Sequence, residues 1–343
     1  MDLLVGTYSF PFAGMEGNGE GIYSVPFDDE TGAFGTPKLL AECVNPSSLA
    51  LSPDGKMLFA GREVFADDGP ALASFRVAAD GSLIALPHRS ITGELPCHLA
   101  FDPVHNRLAS AQYWTGDVAI CSVVDGVVQP PTYHTRTGHG PNAGRQEGPH
   151  AHYVAFTDQG TVLHLVDLGS DSIVSHRLNG EGNATEIATL TVAAGAVPRH
   201  MVLSCAETRA WVLCELDESL IPLRRDGLGW VIDTIQSGFD ATVGKDGSGG
   251  AIRLSPDETH VYISGRRQSQ IAVFTTDGTP VGAFDCGGTS PREFIVTPDG
   301  NWIISANQTN NTLTSLRRDQ ATGGLTLKEN SCSVGSPVAL MAI

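Results

Sequence analysis

The sequence predicts an all-β fold built from seven repeats, and three observations predict it. The first is a phrase that recurs. Pro46-Ser-Ser-Leu-Ala-Leu-Ser-Pro53-Asp54-Gly55 returns as Pro96-Cys-His-Leu-Ala-Phe-Asp-Pro103, as Pro198-Arg-His-Met-Val-Leu-Ser204, as Gly250-Ala-Ile-Arg-Leu-Ser-Pro256-Asp257 and as Pro291-Arg-Glu-Phe-Ile-Val-Thr-Pro298-Asp299-Gly300. The second is spacing. The openings fall at Pro46, Pro96, Pro149, Pro198, Gly249, Pro291 and Pro337, which lie 50, 53, 49, 51, 42 and 46 residues apart. Each interval holds four strands of about 5–6 residues with their turns, the content of one propeller blade. The third is composition. Gly is abundant at 39 residues, and Val, Ile, Thr and Leu fill the runs between Gly and Pro without a long helical period. Together these predict a seven-bladed β-propeller, with residues 1–343 as a single domain.

The elements follow in order. Leu3-Leu-Val-Gly-Thr-Tyr8 reads as the second strand of a blade, and Gly21–Phe27 and Thr36–Glu42 read as its third and fourth. The missing first strand is Pro337-Val-Ala-Leu-Met-Ala-Ile343. The last blade is therefore expected to be closed by the N-terminal strands pairing with the C-terminal strand, which removes exposed sheet edges. Within a blade, Pro-Asp-Gly is a tight turn: Pro presets the backbone and Asp-Gly accepts the unusual dihedrals. It joins the first strand to the second as an antiparallel hairpin. The second strands read as Met57–Glu63, Val162–Asp167, Ala210–Glu215, Val261–Arg266 and Trp302–Gln308. Asp28–Gly32 and Asp319–Gly324 read as hairpin loops between later strands. Thr132–Gly148 shows no strand pattern, and a loop of that length in a compact domain is either functional or disordered.

Charge narrows the function classes. A net charge of −17 argues against nucleic acid and against a polybasic membrane contact. It does not forbid an anionic small ligand, because a local Arg cluster outweighs a diffuse acidic surface at short range. No segment carries the roughly 20 apolar residues of a membrane span, and the first residues read as a strand and not as a secretory leader. The seven cysteines are scattered without a Cys-x-x-Cys pair, so neither a zinc site nor a disulfide framework is signalled. Reduced thiols point to a cytoplasmic protein, expected to be a monomer or weak homo-oligomer without metal or cofactor.

The turn also serves as a ruler. Nine residues after the turn Asp or its equivalent come Glu63, Tyr113, Asp167, Glu215, Arg266 and Gln308. Seven before it come Ser47, Cys97, Ala151, Arg199, Gly250 and Arg292, and six before it Ser48, His98, His152, His200, Ala251 and Glu293. The two ends of a hairpin are neighbours, so Arg199 is expected beside Glu215 and Arg292 beside Gln308. In a radial array all these ends reach one mouth of the central channel, which predicts a ring of His, Arg and Glu there. An Arg opposite a Glu also serves as a plain cross-strand ion pair, and a His in Pro149-His-Ala-His152 also serves as a core residue. Clustered ionisable groups in a cleft mark a site more often than not.

With these residues in place the chain resembles the lactonase family of seven-bladed propellers. The resemblance is carried by Gln146-Glu-Gly-Pro-His150-Ala-His152, Asp167-Leu-Gly-Ser-Asp171, Pro198-Arg-His200, Cys214-Glu-Leu216, Ser264-Gly-Arg266 and Pro291-Arg-Glu-Phe294 with Ala306-Asn-Gln308. It departs at Cys214 and Gly265, where the family carries Asn. The resemblance implies a catalytic set of His150 or His152, Arg199, Glu215 and Arg266. Glu63, His98, His200, Arg292 and Gln308 are candidate substrate contacts.

The implied chemistry is hydrolysis of a sugar lactone in carbohydrate metabolism, similar to 6-phosphogluconolactonase of the pentose phosphate pathway. A His or Glu215 would act as general base, Arg199 or Arg266 would stabilise the oxyanion, and Arg292 would hold a phosphate or carboxylate. A muconate-type lactone-forming cyclase is the alternative within the family. A non-catalytic propeller binding a metabolite or protein is the alternative outside it. A calcium-dependent lactonase would need converging carboxylates. Glu63, Asp167 and Glu215 are the candidates for that set, but the interleaved Arg and His oppose a metal.

Overall fold

The computed structural model describes residues 1–233, 236–237, 239 and 247–343. Among them, seven antiparallel sheets form, and the one helical element is a 3-10 turn at Ala66–Asp68. Six of the sheets are meanders in sequence order, as in Pro291–Val296, Trp302–Asn307, Thr312–Arg318 and Leu325–Ser333. In three sheets the outermost strand is broken in two. One of these breaks falls in the segment read as patternless: Thr132–Thr135 is a strand, paired with Asp117–Ile120. Its Thr-Tyr-His-Thr alternation is too short to stand out beside the Gly-rich run that follows.

The repeated turn explains itself. At Ser52–Met57 the Gly55 N–H donates to the Ser52 carbonyl at 2.8 Å with Gly55 at φ 69°. The Ser52 hydroxyl donates to Asp54 Oδ1 at 2.6 Å, and the Lys56 N–H donates to the same oxygen at 3.1 Å. Thr297, Asp299 and Asn301 repeat this network at 2.5 and 3.0 Å. Ser or Thr, Asp and Gly are therefore each required by one bond or one dihedral.

The first and last strands meet as expected. The sheet order is Lys38–Glu42, Gly21–Pro26, Asp2–Thr7, Pro337–Ala342, with Leu3 opposite Ala342 and Val5 opposite Leu340.

The chain divides into two compact units. One comprises Met1–Glu42, Arg199–Arg224 and Ile232–Ile343, and contains the closing sheet, the Gly249 and Pro291 sheets and the inner strands of the Pro198 sheet. Its apolar side chains form clusters between neighbouring sheets, such as Leu3, Val5, Phe27, Trp302 and Leu340. The other unit comprises Cys43–Pro198 and Arg225–Val231, and contains the Pro46, Pro96 and Ala151 sheets. Leu99, Phe59 and Leu72 form one of its clusters, and Val154, Leu163 and Val174 belong to another. Trp211 and Trp302 are almost fully buried, and each such side chain stabilises the sheets by about 2–3 kcal/mol through lost water contact.

Candidate active site

The first strand of a sheet does not begin straight. Pairing slips by one residue at Ser47 between Pro46 and Ser48, at Cys97, and at Arg292 between Pro291 and Glu293. Before five of the six opening Pro residues the preceding residue is held at positive φ: Asn45 at 43°, Leu95 at 54°, Val197 at 65°, Ser290 at 62° and Ser336 at 41°. Leu and Val at such dihedrals are strained by about 1–3 kcal/mol each. A strained entry followed by a bulge re-aims one side chain per strand, and bulges of this kind are enriched beside active sites. The ruler position seven residues before the turn is this bulge.

The ruler slips at the third repeat. There Thr157 takes the place of Ser52, since its carbonyl accepts the Gly160 N–H at 3.0 Å. Gln159, not Asp158, therefore occupies the position of Asp54. Counting from Gln159 puts His152 at the bulge, between Ala151 and Tyr153, and makes Leu168 rather than Asp167 the counterpart of Glu63. The expected place of Ala151 is corrected accordingly: His152 is the positional equivalent of Arg199 and Arg292. Asp167 is a structural residue. Its Oδ1 accepts the N–H groups of His150 at 2.8 Å and Gly169 at 3.1 Å, and its Oδ2 accepts the Ser170 hydroxyl at 2.6 Å.

In the unit that contains Arg199, the predicted pair with Glu215 forms. Arg199 Nε donates to Glu215 Oε2 at 2.9 Å, and Arg266 Nη2 lies 3.3 Å from Oε1. One carboxylate thus holds two guanidiniums. Arg199 is only 2% exposed, and its Nη1 donates to His200 Nε2 at 2.8 Å and to the Gly250 carbonyl at 2.7 Å. Because a guanidinium only donates, His200 Nε2 is the acceptor and a neutral His200 ring carries its proton on Nδ1. Arg266 Nε and Nη2 also donate to the carbonyls of Ser248 and Gly249 at 3.2 and 3.1 Å. Gly250 is needed where it stands. A Cβ there would lie 2.8 Å from the Pro291 carbonyl oxygen and 3.2 Å from that of Arg292.

Gly250 thereby brings the Arg199 guanidinium close to the entry of the Pro291 strand. The Arg292 guanidinium there lies over the Tyr8 ring, 5.1 Å from its centre, with Nη1 3.9 Å from Met15 Sδ. The expected Arg292–Gln308 contact is not made. The Gln308 N–H donates to Ser290 O at 3.0 Å, and its side chain has no hydrogen bond among the described residues. Glu293 pairs instead with Arg253, Oε1 to Nη2 at 2.6 Å. Tyr8, Arg253 and Glu293 were not singled out as site residues by the sequence. The signal for Glu293 was its place beside Arg292 in the ruler, while nothing in the repeat marked Tyr8 or Arg253. Arg199, Arg253, Arg266 and Arg292 thus stand with the carboxylates of Glu215 and Glu293 in this unit.

In the other unit the His residues form a second cluster. His150 Nδ1 donates to the Tyr113 carbonyl at 2.9 Å, its Nε2 lies 3.3 Å from Glu147 Oε1, and its ring stacks on Tyr113 at 4.7 Å. The Glu147 carboxyl is held below the usual carboxylate range by its own backbone N–H and then by His150. His152 meets the edge of the same Tyr113 ring at 5.6 Å. His98 Nδ1 accepts the Val154 N–H at 3.3 Å and its ring lies 4.0 Å from that of Tyr153. Glu63 is buried, with its backbone N–H on the Asn45 carbonyl at 3.1 Å. Gln146, Glu147, Arg145 and Arg136 all come from the Gly-rich loop. Arg145 reaches the Tyr113 hydroxyl at 3.5 Å and Arg136 lies 3.8 Å from Asp167. The loop suspected from its composition therefore builds the surroundings of His150. Among the described residues no three His, Cys, Asp or Glu side chains are grouped to hold a metal.

Four-stranded meander sheets with ionisable side chains re-aimed at their strand entries define a β-propeller carrying a polar site. Over residues 2–342 the sequence matches the family described as Lactonase, 7-bladed beta-propeller, and the chain belongs to that family. It is 32% identical to the 6-phosphogluconolactonase of Bacillus subtilis (strain 168), covering 98% of this chain and 96% of that one. It is 27% identical to the 6-phosphogluconolactonase of Formosa agariphila, covering 90% and 91%. The structure of the periplasmic gluconolactonase of Pseudomonas aeruginosa superposes with a TM-score of 0.91 at 26% identity, covering 99% and 98%.

Proposed function

We propose that this chain hydrolyses the internal ester of an anionic sugar lactone, with 6-phosphogluconolactone as the first candidate. The observation that supports it most is the Glu215 carboxylate held between Arg199 and Arg266 in a member of the lactonase family. Lactone hydrolysis develops negative charge on the carbonyl oxygen. Guanidiniums fixed in advance in a low-dielectric surrounding stabilise that charge without reorganising. Both Glu215 oxygens are engaged by guanidinium, so its role in the proposal is to fix the two Arg side chains, not to move a proton. His200 buttresses Arg199 from the other side. Arg292, aligned by Tyr8, is assigned to the phosphate or carboxylate of the substrate.

The roles of His150 and His152 rest on the family resemblance, and those of Glu63, His98 and Gln308 on the register of their hairpins. No cofactor or metal enters the reaction as proposed. Among the described residues no helix is long and apolar enough to cross a membrane. All seven cysteines are free thiols; the proposal is of a cytoplasmic, monomeric or weakly associating enzyme with residues 1–343 as one domain.

The test is a panel of 6-phosphogluconolactone, unphosphorylated gluconolactone and a muconolactone, followed by acid release above the spontaneous rate. Turnover of the sugar lactones that drops at least 100-fold in R199M supports the proposal. Turnover of the muconolactone alone would replace it with the cyclase, and turnover of none would leave a binding propeller.

A further inference from the structure

Lactone hydrolysis needs a group to take the proton from the attacking water, and the sequence offered Glu215 or a His. Glu215 has both oxygens on guanidiniums, and His150 has both nitrogens engaged. A third carboxyl in the Arg199 region differs. Glu293 Oε1 accepts from Arg253 Nη2 at 2.6 Å and from the Phe294 N–H at 2.8 Å, while Oε2 has no hydrogen bond among the described residues. The side chain is 12% exposed, so one oxygen is held in place and the other is left open. We propose that Glu293 is the general base of the lactonase, a role that rests on the reading above.

The surroundings suit that task. Burial raises the Glu293 carboxyl above its ordinary range, and the charges of Arg253 and then Arg199 oppose the shift. The charged groups facing it are Arg253 from Gly249–Leu254 and Arg199 from Pro198–Leu203. Its hairpin partner is Ala306, and the packed strand Pro337–Ala342 carries no titratable side chain. A carboxylate with a raised pKa accepts a proton more readily, and the charge of Arg253 favours its ionised form.

The step balances. Water oxygen bonds to the lactone carbonyl carbon while its proton passes to Glu293 Oε2, and the carbonyl π pair moves to oxygen beside the guanidiniums. Collapse breaks the ring C–O bond, and the Glu293 proton passes to the departing alkoxide. One water is consumed, and the product is a hydroxy acid that releases its carboxyl proton to solvent.

The experiment measures kcat, KM and pH–rate profiles on 6-phosphogluconolactone for the wild type, E293Q, R253M and the double variant R253M/E293Q, with thermal unfolding to confirm each fold. General acid–base catalysis contributes about 10²–10⁴-fold, so E293Q is expected to lose at least 100-fold in kcat with KM within about threefold. In R253M the acid limb of the profile moves to higher pH, since the charge that lowered the Glu293 pKa is gone. The double variant stays as slow as E293Q. Recovery of the double variant to wild-type turnover would show a mere ion pair and overturn the assignment. A folded E293Q within fivefold of wild type, or H152Q losing kcat in its place, would also overturn it. An inactive wild type on every lactone would instead remove the lactonase reading itself, and the base with it.

Discussion

Replacing Glu215 with Ala tests whether the carboxylate holds the two guanidiniums together. The change takes the carboxylate from Arg199 Nε, whose side chain is 3% exposed, and leaves Nη1 on His200 Nε2 and the Gly250 carbonyl. Arg266 is 15% exposed and keeps two carbonyls, so it loses less. Removing one partner of a buried ion pair costs about 3–5 kcal/mol, and the surviving bonds place this case near 3 kcal/mol. For 343 residues the unfolding entropy is about 0.7 kcal/mol/K, so the midpoint should fall by about 4 °C. The double variant R199M/E215L removes both charges and should recover to within about 1 kcal/mol of wild type. Calorimetry on the three proteins decides it. A Glu215→Ala midpoint within 1 °C of wild type, or a double variant below the single one, would refute the clamp.

Other predictions follow from the same geometry. Gly250→Ala sets a methyl 2.8 Å from the Pro291 carbonyl oxygen; it should cost about 1–3 kcal/mol in urea unfolding and lower kcat by displacing Arg199. Arg292→Ala should raise KM about 10-fold or more for a phosphorylated lactone but little for an unphosphorylated one, read from paired saturation curves. Burial pushes His164 down to about 3, and burial with His134 nearby pushes His176 down to about 4. Unfolded, both titrate near 6.5, so the unfolded chain binds more protons below that pH and stability falls as pH drops from about 6.5 toward 4. Each contributes up to about 1.4 kcal/mol per pH unit, and His176→Phe should flatten the urea midpoint against pH over that window.

The repeat made the fold legible because each copy of Ser-Pro-Asp-Gly encodes one hairpin, and seven openings can be counted. The closing sheet was legible because three strands at one end and one at the other complete each other. The Arg199–Glu215 pair was legible for the same reason, since hairpin register is fixed by the turn. The ruler failed at Thr157-Asp158-Gln159-Gly160, where an Asp stands one residue early and both Asp158 and Gln159 adopt positive φ. It also failed for Arg292, whose side chain turns toward Tyr8, 284 positions away in the chain. Register along a hairpin says which backbones meet. It says nothing of a cation drawn to an aromatic ring on another sheet, or of Glu293 finding Arg253 across a sheet interface.

The pairing of Leu3 with Ala342 has a consequence for how the chain is made. These partners are 339 residues apart, and at a synthesis rate of about 5–20 residues per second the wait between them is about 17–70 s. During that interval Asp2–Thr7, with Leu3, Leu4 and Val5 along it, presents an apolar strand edge to whatever else is nearby. Among the described strand pairs this one spans the longest stretch of chain, so its edge waits longest for its partner. A circular permutant, with residues 343 and 1 joined by a short linker and the chain opened at the Asp319–Gly324 hairpin, would synthesise the two strands side by side and shorten the wait to the length of the linker.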